Sequence, residues 1–331
     1  MKTRTGAIGI FLLLAAANVS SAAERFVATN GNDSAAGTNW PTAKMTIQAG
    51  VDAATDGDTV WVSNGVYATG GRRVLSLLPT NRVVIDKGIA VRSVNGPAWT
   101  VIQGARDPST TNGLGDAAVR CVHVGSNANT VLSGFTLRGG ATQTTNAPTV
   151  PNRSGGGVAV TYPASPSIVE NCILAGNIAL YGGGAISCVL KNCLIVSNEA
   201  ASLGGGAYKC TFYNCVLTAN SSQTTGGGAC TSYNSIVYGN IAPMSSNQFA
   251  CAISWSCTAP AADGTGNIAE NPLFVDAAAG NFRLSPSSPC INAGDTSTVS
   301  SAVDLDGNPR IVDGAVDMGA YEYQAEGGTV L

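Results

Sequence analysis

The chain has 331 residues, of which 44% are hydrophobic and only 11% are charged, and its net charge is −3. This composition excludes an intrinsically disordered chain, because disorder needs a high net charge and few apolar residues. The net negative charge also argues against nucleic acid as a partner, since phosphate binding needs a broad basic surface.

Residues 1–23 have the pattern of a secretory signal peptide. Lys2 and Arg4 supply a positive start, residues 8–17 form an apolar run, and residues 21–23 resemble a small-residue cleavage site. The apolar run is too short to cross a membrane, so we expect no transmembrane span in the mature chain. The sequence therefore predicts an exported protein, either secreted or associated with the cell surface.

Residues 24–70 are predicted to form an N-terminal cap and a first coil. Ile47, Val51 and Ala54 have helical spacing, and a strand is predicted at Thr59–Val62. Because the open end of a repetitive core needs a cover, we interpret the helix as a cap.

Residues 71–262 are predicted to be a solenoid, and a repeated pattern sets its period. Copies of the pattern begin 21, 22 and 20 residues apart, at Asn171, Asn192, Asn214 and Asn234. Each copy contains a short aliphatic strand, and triple glycines that begin at Gly182, Gly204 and Gly226 separate them. A fixed period with short strands and glycine turns is typical of a solenoid. The predicted fold class is all-β, a single-stranded right-handed parallel β-helix of about 20–22 residues per coil with an N-terminal helix cap.

Stacking of the coils places equivalent residues above one another. We expect Asn171 and its equivalents to form an asparagine ladder, and the triple glycines to take positive φ or to approach another chain segment closely. An apolar stripe should point outward at Ile173, Leu194, Val216 and Ile236. Such a stripe is rarely bare, so either the C-terminal segment covers it or a partner binds it.

Ten cysteines in an exported protein would ordinarily suggest disulfides. Cys172, Cys193 and Cys215, however, share one coil position and point in parallel, whereas a disulfide needs Cβ atoms that face each other at about 3.8 Å. We therefore expect buried free thiols, with Cys251 and Cys257 as the pair to test for a bridge. A zinc site is not expected, because Cys-x-x-Cys is absent and there is one histidine.

Residues 263–331 change character and contain a set of short motifs. They are NPLFVD at 271–276, SPCINAGD at 288–295, DLDGNPR at 304–310 and DMGAYEY at 317–323. These motifs are similar to those of bacterial choice-of-anchor Q domain proteins. Residues 26–33, 46–48 and 57–62 resemble the opening of secreted pectate-lyase-like β-helix proteins. The resemblance covers almost the whole mature chain and implies an exported β-helix of mostly undefined activity.

The basic residues concentrate in one half of the chain, since residues 72–153 hold nine basic and three acidic side chains, a balance of +6. Polysaccharide lyases on this scaffold use a Lys or Arg to remove the proton beside a uronate carboxylate, whose charge Ca²⁺ or another cation offsets. The candidate bases are Arg120, Arg138, Arg153 and Lys191, which could share one face beside Glu170. A solvated or snorkelling side chain is the simpler interpretation of each.

Two further sets of residues are candidates for binding. Tyr162, Tyr181 and Tyr208 could stack on sugars, although tyrosines more often pack against turns. Asp304, Asp306 and Asn308 place oxygen ligands around a tight turn, as Ca²⁺ prefers. They lack the bidentate glutamate of a calcium loop, so plain Asx turns are the alternative interpretation.

The leading hypothesis is a monomeric, secreted or cell-surface β-helix protein with a structural or carbohydrate-binding role and an acidic polysaccharide as partner. The alternatives are a lyase that acts on a uronate-containing polysaccharide and an adhesin-like scaffold that uses the outer stripe. If the protein is an enzyme, a lyase is favoured over a glycoside hydrolase. The paired acids of a hydrolase are missing, because Glu170 and Glu199 are the only carboxylates between residues 117 and 262.

Overall fold

The computed structural model describes residues 22–74, 77–125, 129–143, 150–161, 167–226, 231–248, 251–299 and 301–324. The predicted signal peptide lies outside these ranges except for its last two residues. The strands are, in chain order, β1 (Glu24–Val27), β2 (Thr59–Val62), β3 (Gly65–Tyr67), β4 (Arg72–Val74), β5 (Leu77–Ile85), β6 (Ala90–Ser93), β7 (Thr100–Gln103), β8 (Val119–Val124), β9 (Val131–Ser133), β10 (Thr136–Arg138), β11 (Val158–Val160), β12 (Ile168–Glu170), β13 (Ile173–Ala175), β14 (Ile178–Tyr181), β15 (Ala185–Ile186), β16 (Val189–Lys191), β17 (Leu194–Val196), β18 (Glu199–Leu203), β19 (Ala207–Tyr208), β20 (Thr211–Tyr213), β21 (Val216–Thr218), β22 (Ser221–Ser222), β23 (Thr231–Tyr233), β24 (Ile236–Val237), β25 (Ala252–Ser254), β26 (Cys257–Thr258), β27 (Phe274–Asp276) and β28 (Asn281–Leu284). The helical segments are α1 (Ile47–Ala53) and short 3₁₀ turns at Trp40–Thr42, Val150–Arg153 and Thr296–Thr298.

Successive strands of the chain fall into different sheets, and neighbours within a sheet lie one coil apart. Sheet 1 has nine strands in the order β1-β2-β6-β9-β12-β16-β20-β23-β25, and sheet 2 has eight in the order β26-β24-β21-β17-β13-β10-β7-β3. Sheet 3 has the order β19-β15-β11-β8-β5-β4, and sheet 4 has the order β14-β18-β22. Among the described strands, pairing is parallel except between β4 and β5 and between β27 and β28. This order is that of a parallel β-helix and confirms the predicted fold class.

The helix α1 covers the first coil, as predicted. Thr46 caps it, because its hydroxyl accepts a hydrogen bond from the Ala49 N–H at 3.2 Å. Ile47 and Val51 are buried in the core. A Cβ at Gly50 would lie 2.5 Å from a methyl carbon of Val27, so only glycine lets the helix approach β1 this closely.

The described cysteines other than Cys251 are free thiols, which confirms the prediction for Cys172, Cys193 and Cys215. Burial raises the pKa of both Cys121 and Cys172 to about 12, so these thiols are inert. The suggested bridge between Cys251 and Cys257 is wrong. Cys251 packs against the inner core, whereas Cys257 points outward into the cluster beneath the C-terminal segment.

The asparagine ladder exists, but not in the predicted row. Asn171 and its equivalents have φ near 50° at the turn between sheets 1 and 2, and only Asn192 and Asn171 bond to each other. The continuous ladder is one turn further on, in the buried asparagines Asn177, Asn198, Asn220, Asn240 and Asn247. Each amide bonds to the next coil, because the interior of the turn offers no water to satisfy it.

The triple glycines behave as predicted. Gly182, Gly204 and Gly226 have φ values of 59°, 68° and 66°. The middle glycine of a run meets the neighbouring coil, because a Cβ at Gly183 would lie 2.2 Å from the Glu199 carbonyl oxygen. Both the conformation and the contact require glycine.

The C-terminal segment folds back over the outer apolar stripe, which confirms that interpretation. Leu194, Val216 and Ile236 are buried, and they pack against Phe282, Leu284, Met318 and Tyr321 among other residues. Ile173 lies at the edge of this cluster and is partly buried. The covered stripe is therefore not available to a protein partner, and the adhesin-like hypothesis loses its surface.

The asparagines for which a ladder was predicted, in the row that begins at Asn171, instead hold the C-terminal segment in place. Asn192 donates to the Val303 carbonyl at 2.8 Å, and Asn234 donates to the Asp295 carbonyl at 2.9 Å. Among the described residues no helix is long and apolar enough to cross a membrane.

Candidate functional site

An open depression of about 600 Å³ lies where β7, β10 and β13 of sheet 2 end. Its walls are Gln103, Gly104, Ala105, Arg106, Arg138, Gly139, Ala175 and Gly176. Three of these residues come from adjacent coils in register, because Arg138 pairs with Gln103 on one side and with Ala175 on the other. The β-helix thus brings together residues that are more than 30 positions apart in the chain.

Gln103 bonds to two arginines, of which Arg138 lines the depression. Nε and Nη2 of Arg138 both donate to the side-chain oxygen of Gln103, at 3.1 and 3.0 Å. Nε of Arg82 donates to the main-chain oxygen of Gln103 at 2.8 Å, and its Nη1 donates to the Gly70 carbonyl. The guanidinium of Arg138 is therefore held by its Nε–Nη2 edge, and its Nη1 takes no part in the contact with Gln103.

Arg106 supplies a third positive charge. Its stem packs against Gly113, where a Cβ would lie 2.9 Å from the Cβ of Arg106. Gly113 therefore makes room for the stem, and the Arg106 side chain is exposed at the rim. We call Arg82, Arg106 and Arg138 the arginine cluster.

None of the ion pairs of the described residues involves the arginine cluster. Asp107 follows Arg106 in the chain, but its carboxylate is almost fully buried and accepts hydrogen bonds from Ser109 and Ala117. These bonds, chiefly that from the Ser109 hydroxyl, lower the pKa of Asp107. Burial lowers the pKa of Arg82 from 12.5, yet an arginine stays protonated in proteins. The cluster therefore presents positive charge that forms no ion pair with a carboxylate of the described residues.

Arg120 lies inside the molecule and does not line the depression. Its side chain donates to the carbonyls of Gly155 and Ser154, both at 2.9 Å, and to Asn81 Oδ1 at 2.7 Å. Burial lowers its pKa to about 9. With 2% of its surface exposed, Arg120 ties neighbouring coils together and does not reach a polymer outside.

Arg153 and the candidate tyrosines form a stack elsewhere. The guanidinium of Arg153 lies 5.7 Å from the ring centre of Tyr181, which stacks on Tyr208 at 5.9 Å. Lys209 lies 5.4 Å from the Tyr208 ring on the other coil. Tyr162 lies outside the described residues. The half-buried rings pack on each other and on cations, and whether they also stack on sugars stays a prediction.

Lys191 lies on sheet 1, in register between Glu170 and Tyr213. Its ammonium group is 5.9 Å from the centre of the Tyr213 ring. Arg138 is on sheet 2, and Arg153 precedes a strand of sheet 3. The candidate bases therefore do not share one face, and only Lys191 is a neighbour of Glu170.

The proposed calcium ligands form a hydrogen-bonded turn. Asp304 Oδ1 accepts from the N–H groups of Asp306 and Asn308 at 3.0 and 2.8 Å, and Oδ2 accepts from the Glu322 N–H at 2.9 Å. Asp306 pairs with Arg283 at 2.5 Å. No cluster of three or more acidic, histidine or cysteine side chains suited to a metal occurs in the described ranges. The alternative of plain Asx turns describes this geometry.

A buried charged network joins this turn to the β-helix. Nη2 of Arg310 donates to Asn192 Oδ1 and, at 2.7 Å, to the Gly319 carbonyl, and Glu322 lies 3.6 Å from its Nη1. Burial raises the pKa of Asp304 and Asp317, and it raises that of Glu322 to about 8. One buried arginine thus faces three carboxyl groups, those of Asp304, Asp317 and Glu322, and also bonds to Asn192 of the β-helix.

The sequence reasoning missed Arg82, Arg106 and Gln103 as members of a site. The arginines are 24 and 32 residues apart, because the coils in this half carry loops of unequal length. The available signal was the charge balance of +6 over residues 72–153, which identifies the half of the molecule but not the residues that meet.

Comparisons with known proteins concern the arrangement of the chain. No family model matches the sequence, and no curated protein matches it either. A crystal structure of the pectate lyase Pel9A is similar over 93% of this chain and 98% of its own, with 16% identity and a TM-score of 0.48. A rhamnogalacturonan lyase is similar over 71% of this chain and 68% of its own, with 10% identity and a TM-score of 0.43. The fold assignment rests on the sheet order itself.

Proposed function

We propose that this is an exported β-helix protein, secreted or held at the cell surface, that binds an acidic, uronate-containing polysaccharide at the arginine cluster. The observation that carries the proposal is the open depression lined by Arg106 and Arg138, with Arg82 bonded to Gln103 of the same lining. None of these three arginines has a carboxylate partner among the described residues.

A guanidinium group presents its N–H donors in a planar fork that fits a carboxylate through two parallel bonds. The Gln103 contact holds the fork of Arg138 by one edge, so little rotamer entropy is lost when a carboxylate binds the remaining donors. A uronate polymer offers a carboxylate on each sugar, which suits a row of cations on a rigid support.

Affinity electrophoresis of the full chain in gels that contain polygalacturonate, alginate or a neutral glucan tests this proposal. We expect retardation in the acidic gels only. The double variant Arg106→Gln/Arg138→Gln should bind at least tenfold more weakly, since about 1.5–3 kcal/mol is lost per charged hydrogen bond. The control Lys191→Gln/Lys209→Gln carries the same charge change on other faces and should bind normally. Equal mobility in every gel, or an equal loss in both variants, contradicts the proposal.

The lyase alternative concerns the same depression. A lyase needs a base close to the polymer, and of the candidate bases only Arg138 lines the depression. If the bound polymer is cleaved by elimination, its unsaturated product absorbs in the ultraviolet, and Arg138→Lys should retain part of that activity whereas Arg138→Ala should not. If a polymer binds but the absorbance does not rise, the protein binds that polymer without cleaving it by elimination.

The organisation of the chain is part of the proposal. We place the signal peptide at 1–23, the cap and first coil at 24–70, the β-helix at 71–262 and a choice-of-anchor Q-like module at 263–331. The motifs of that module support the last assignment, and they include Asp304, Arg310 and Asp317, which bond across the segment and to the β-helix. We propose a monomer, because the outer apolar stripe is already covered within one chain.

A further inference from the structure

A second depression, of about 540 Å³, lies beside the N-terminal coils and differs chemically from the arginine cluster. Its lining is Thr29, Asn30, Trp40, Ser63, Asn64, Val94 and Asn95. This set contains an indole, three carboxamides and two hydroxyls, and it contains no charged side chain. We call it the amide depression.

One wall is a fixed aromatic surface. Trp40 is 43% exposed, although a tryptophan normally buries its large ring. Its ring makes an edge contact with Phe26 at 4.8 Å between centroids. It begins a 3₁₀ turn whose preceding residue, Asn39, accepts from the Thr42 N–H at 3.0 Å. The indole is therefore held by its contact with Phe26 and by an ordered turn, and it is still accessible.

The lining also contains a row of polar side chains, a hydroxyl and two amides, on successive coils. Thr29, Asn64 and Asn95 each lie two residues beyond the paired ends of β1, β2 and β6. Equivalent positions on adjacent coils are about 4.8 Å apart. Nδ2 of Asn95 donates to Oδ1 of Asn64 at 2.9 Å, which orients both amides.

The same bond leaves hydrogen-bonding capacity unused. Asn30, Asn64 and Asn95 are all exposed, and the bond uses neither Nδ2 of Asn64 nor Oδ1 of Asn95, so both atoms are accessible to a ligand. An amide offers two donors and an acceptor, and a sugar hydroxyl both donates and accepts. The row is thus complementary to a set of hydroxyl groups and has no charge with which to select a carboxylate.

We infer that the amide depression is a binding site for a neutral pyranose unit of a glycan, with the sugar's C–H face on Trp40 and its hydroxyls on Asn64 and Asn95. An apolar surface with a few placed polar groups is the usual composition of a small-ligand site. The site is independent of the arginine cluster, because the strand β7 (Thr100–Gln103), about 13 Å long, separates the two.

Tryptophan fluorescence and saturation-transfer NMR of the full chain with xylohexaose, cellohexaose and galactohexaose test the inference. We expect at least one hexasaccharide to bind and Trp40→Ala to weaken it by tenfold or more. The matched control is Trp99→Ala, which removes an indole that is 62% exposed but does not line the depression. It should bind as the wild type does.

Because Trp40 supports Phe26, its substitution could also unfold the cap. The variant Asn64→Ala/Asn95→Ala leaves that aromatic contact intact and should weaken binding at least fivefold, with an unchanged melting temperature. The variant Arg106→Gln/Arg138→Gln should keep its affinity for the hexasaccharide, which separates this site from the proposed acidic one. The inference is overturned if no hexasaccharide binds, if the amide variant binds normally, or if Trp99→Ala loses binding equally.

Discussion

Replacement of Asn198 by alanine tests the account of the interior most sharply. The amide of Asn198 makes four hydrogen bonds within the stack. Its Oδ1 accepts from the N–H and the Nδ2 of Asn177 at 3.0 and 2.9 Å, and its Nδ2 donates to the Leu174 carbonyl and to Asn220 Oδ1 at 2.8 and 3.0 Å. The residue is 1% exposed, so water does not replace these bonds.

The expected cost follows from that count. A buried hydrogen bond contributes roughly 1 kcal/mol net, so four lost bonds amount to about 4 kcal/mol. The backbone N–H of Asn177 would also stay buried without this partner. A loss of this size is at the upper end of what single substitutions cause, which is about 4–5 kcal/mol.

Urea denaturation followed by circular dichroism measures the change in the free energy of unfolding. The matched control is Asn129→Ala, since Asn129 is exposed and its replacement should cost less than about 0.5 kcal/mol. If Asn198→Ala costs no more than the control, the ladder does not stabilise the β-helix and the reasoning fails.

Further predictions concern the tail, the thiols and the glycines. Because the pKa of Glu322 is raised to about 8 in the folded protein, its neutral form favours the fold, and this stability should be lost as the pH rises from about 4.5 to 8. Glu322→Gln should remove that part of the pH dependence of thermal unfolding. A variant whose melting temperature changes with pH as the wild type's does would contradict the prediction. Alkylation should spare the buried thiol of Cys172 in the native protein and modify it after denaturation, and mass spectrometry that finds Cys172 labelled in the native protein refutes the burial argument. Gly183→Ala should destabilise the protein by more than about 3 kcal/mol, because the added Cβ would meet a backbone oxygen. Gly176→Ala has open space around it and should cost about 1–2 kcal/mol for its positive φ alone. Equal losses of unfolding free energy in the two variants would contradict the importance of the contact.

The architecture was predictable because the same sequence pattern recurs in each regular coil. Triple glycines and short aliphatic strands recur at one period, so the cap, the solenoid and the covered stripe all follow from residues 46–54 and 171–240. The choice between asparagine rows was not predictable in the same way. Asn171 and Asn177 recur with the same period, and only the turn geometry decides that the second row points inward.

The site was less predictable because its residues belong to coils that do not share one regular repeat length. Arg82, Arg106 and Arg138 come from coils with loops of unequal length. Their spacing in the sequence therefore does not show that they lie at nearby positions on successive coils. Arg120 and Arg138 look alike in the sequence, yet one lies in the core and the other at the rim of a depression. Burial of a long polar side chain depends on carbonyl groups that only the folded loops supply, here those of Ser154 and Gly155.

The central claim is that the arginine cluster binds an acidic polysaccharide through charge. Calorimetric titration of the full chain with oligogalacturonate at 0.1 M and 1 M NaCl tests it most directly, since the screening length falls from about 10 Å to about 3 Å between these concentrations. We predict an affinity that falls at least tenfold with salt, and that is already weak at low salt for Arg106→Gln/Arg138→Gln. An affinity that is the same at both salt concentrations would contradict the account. So would a variant that binds as tightly as the wild type at low salt.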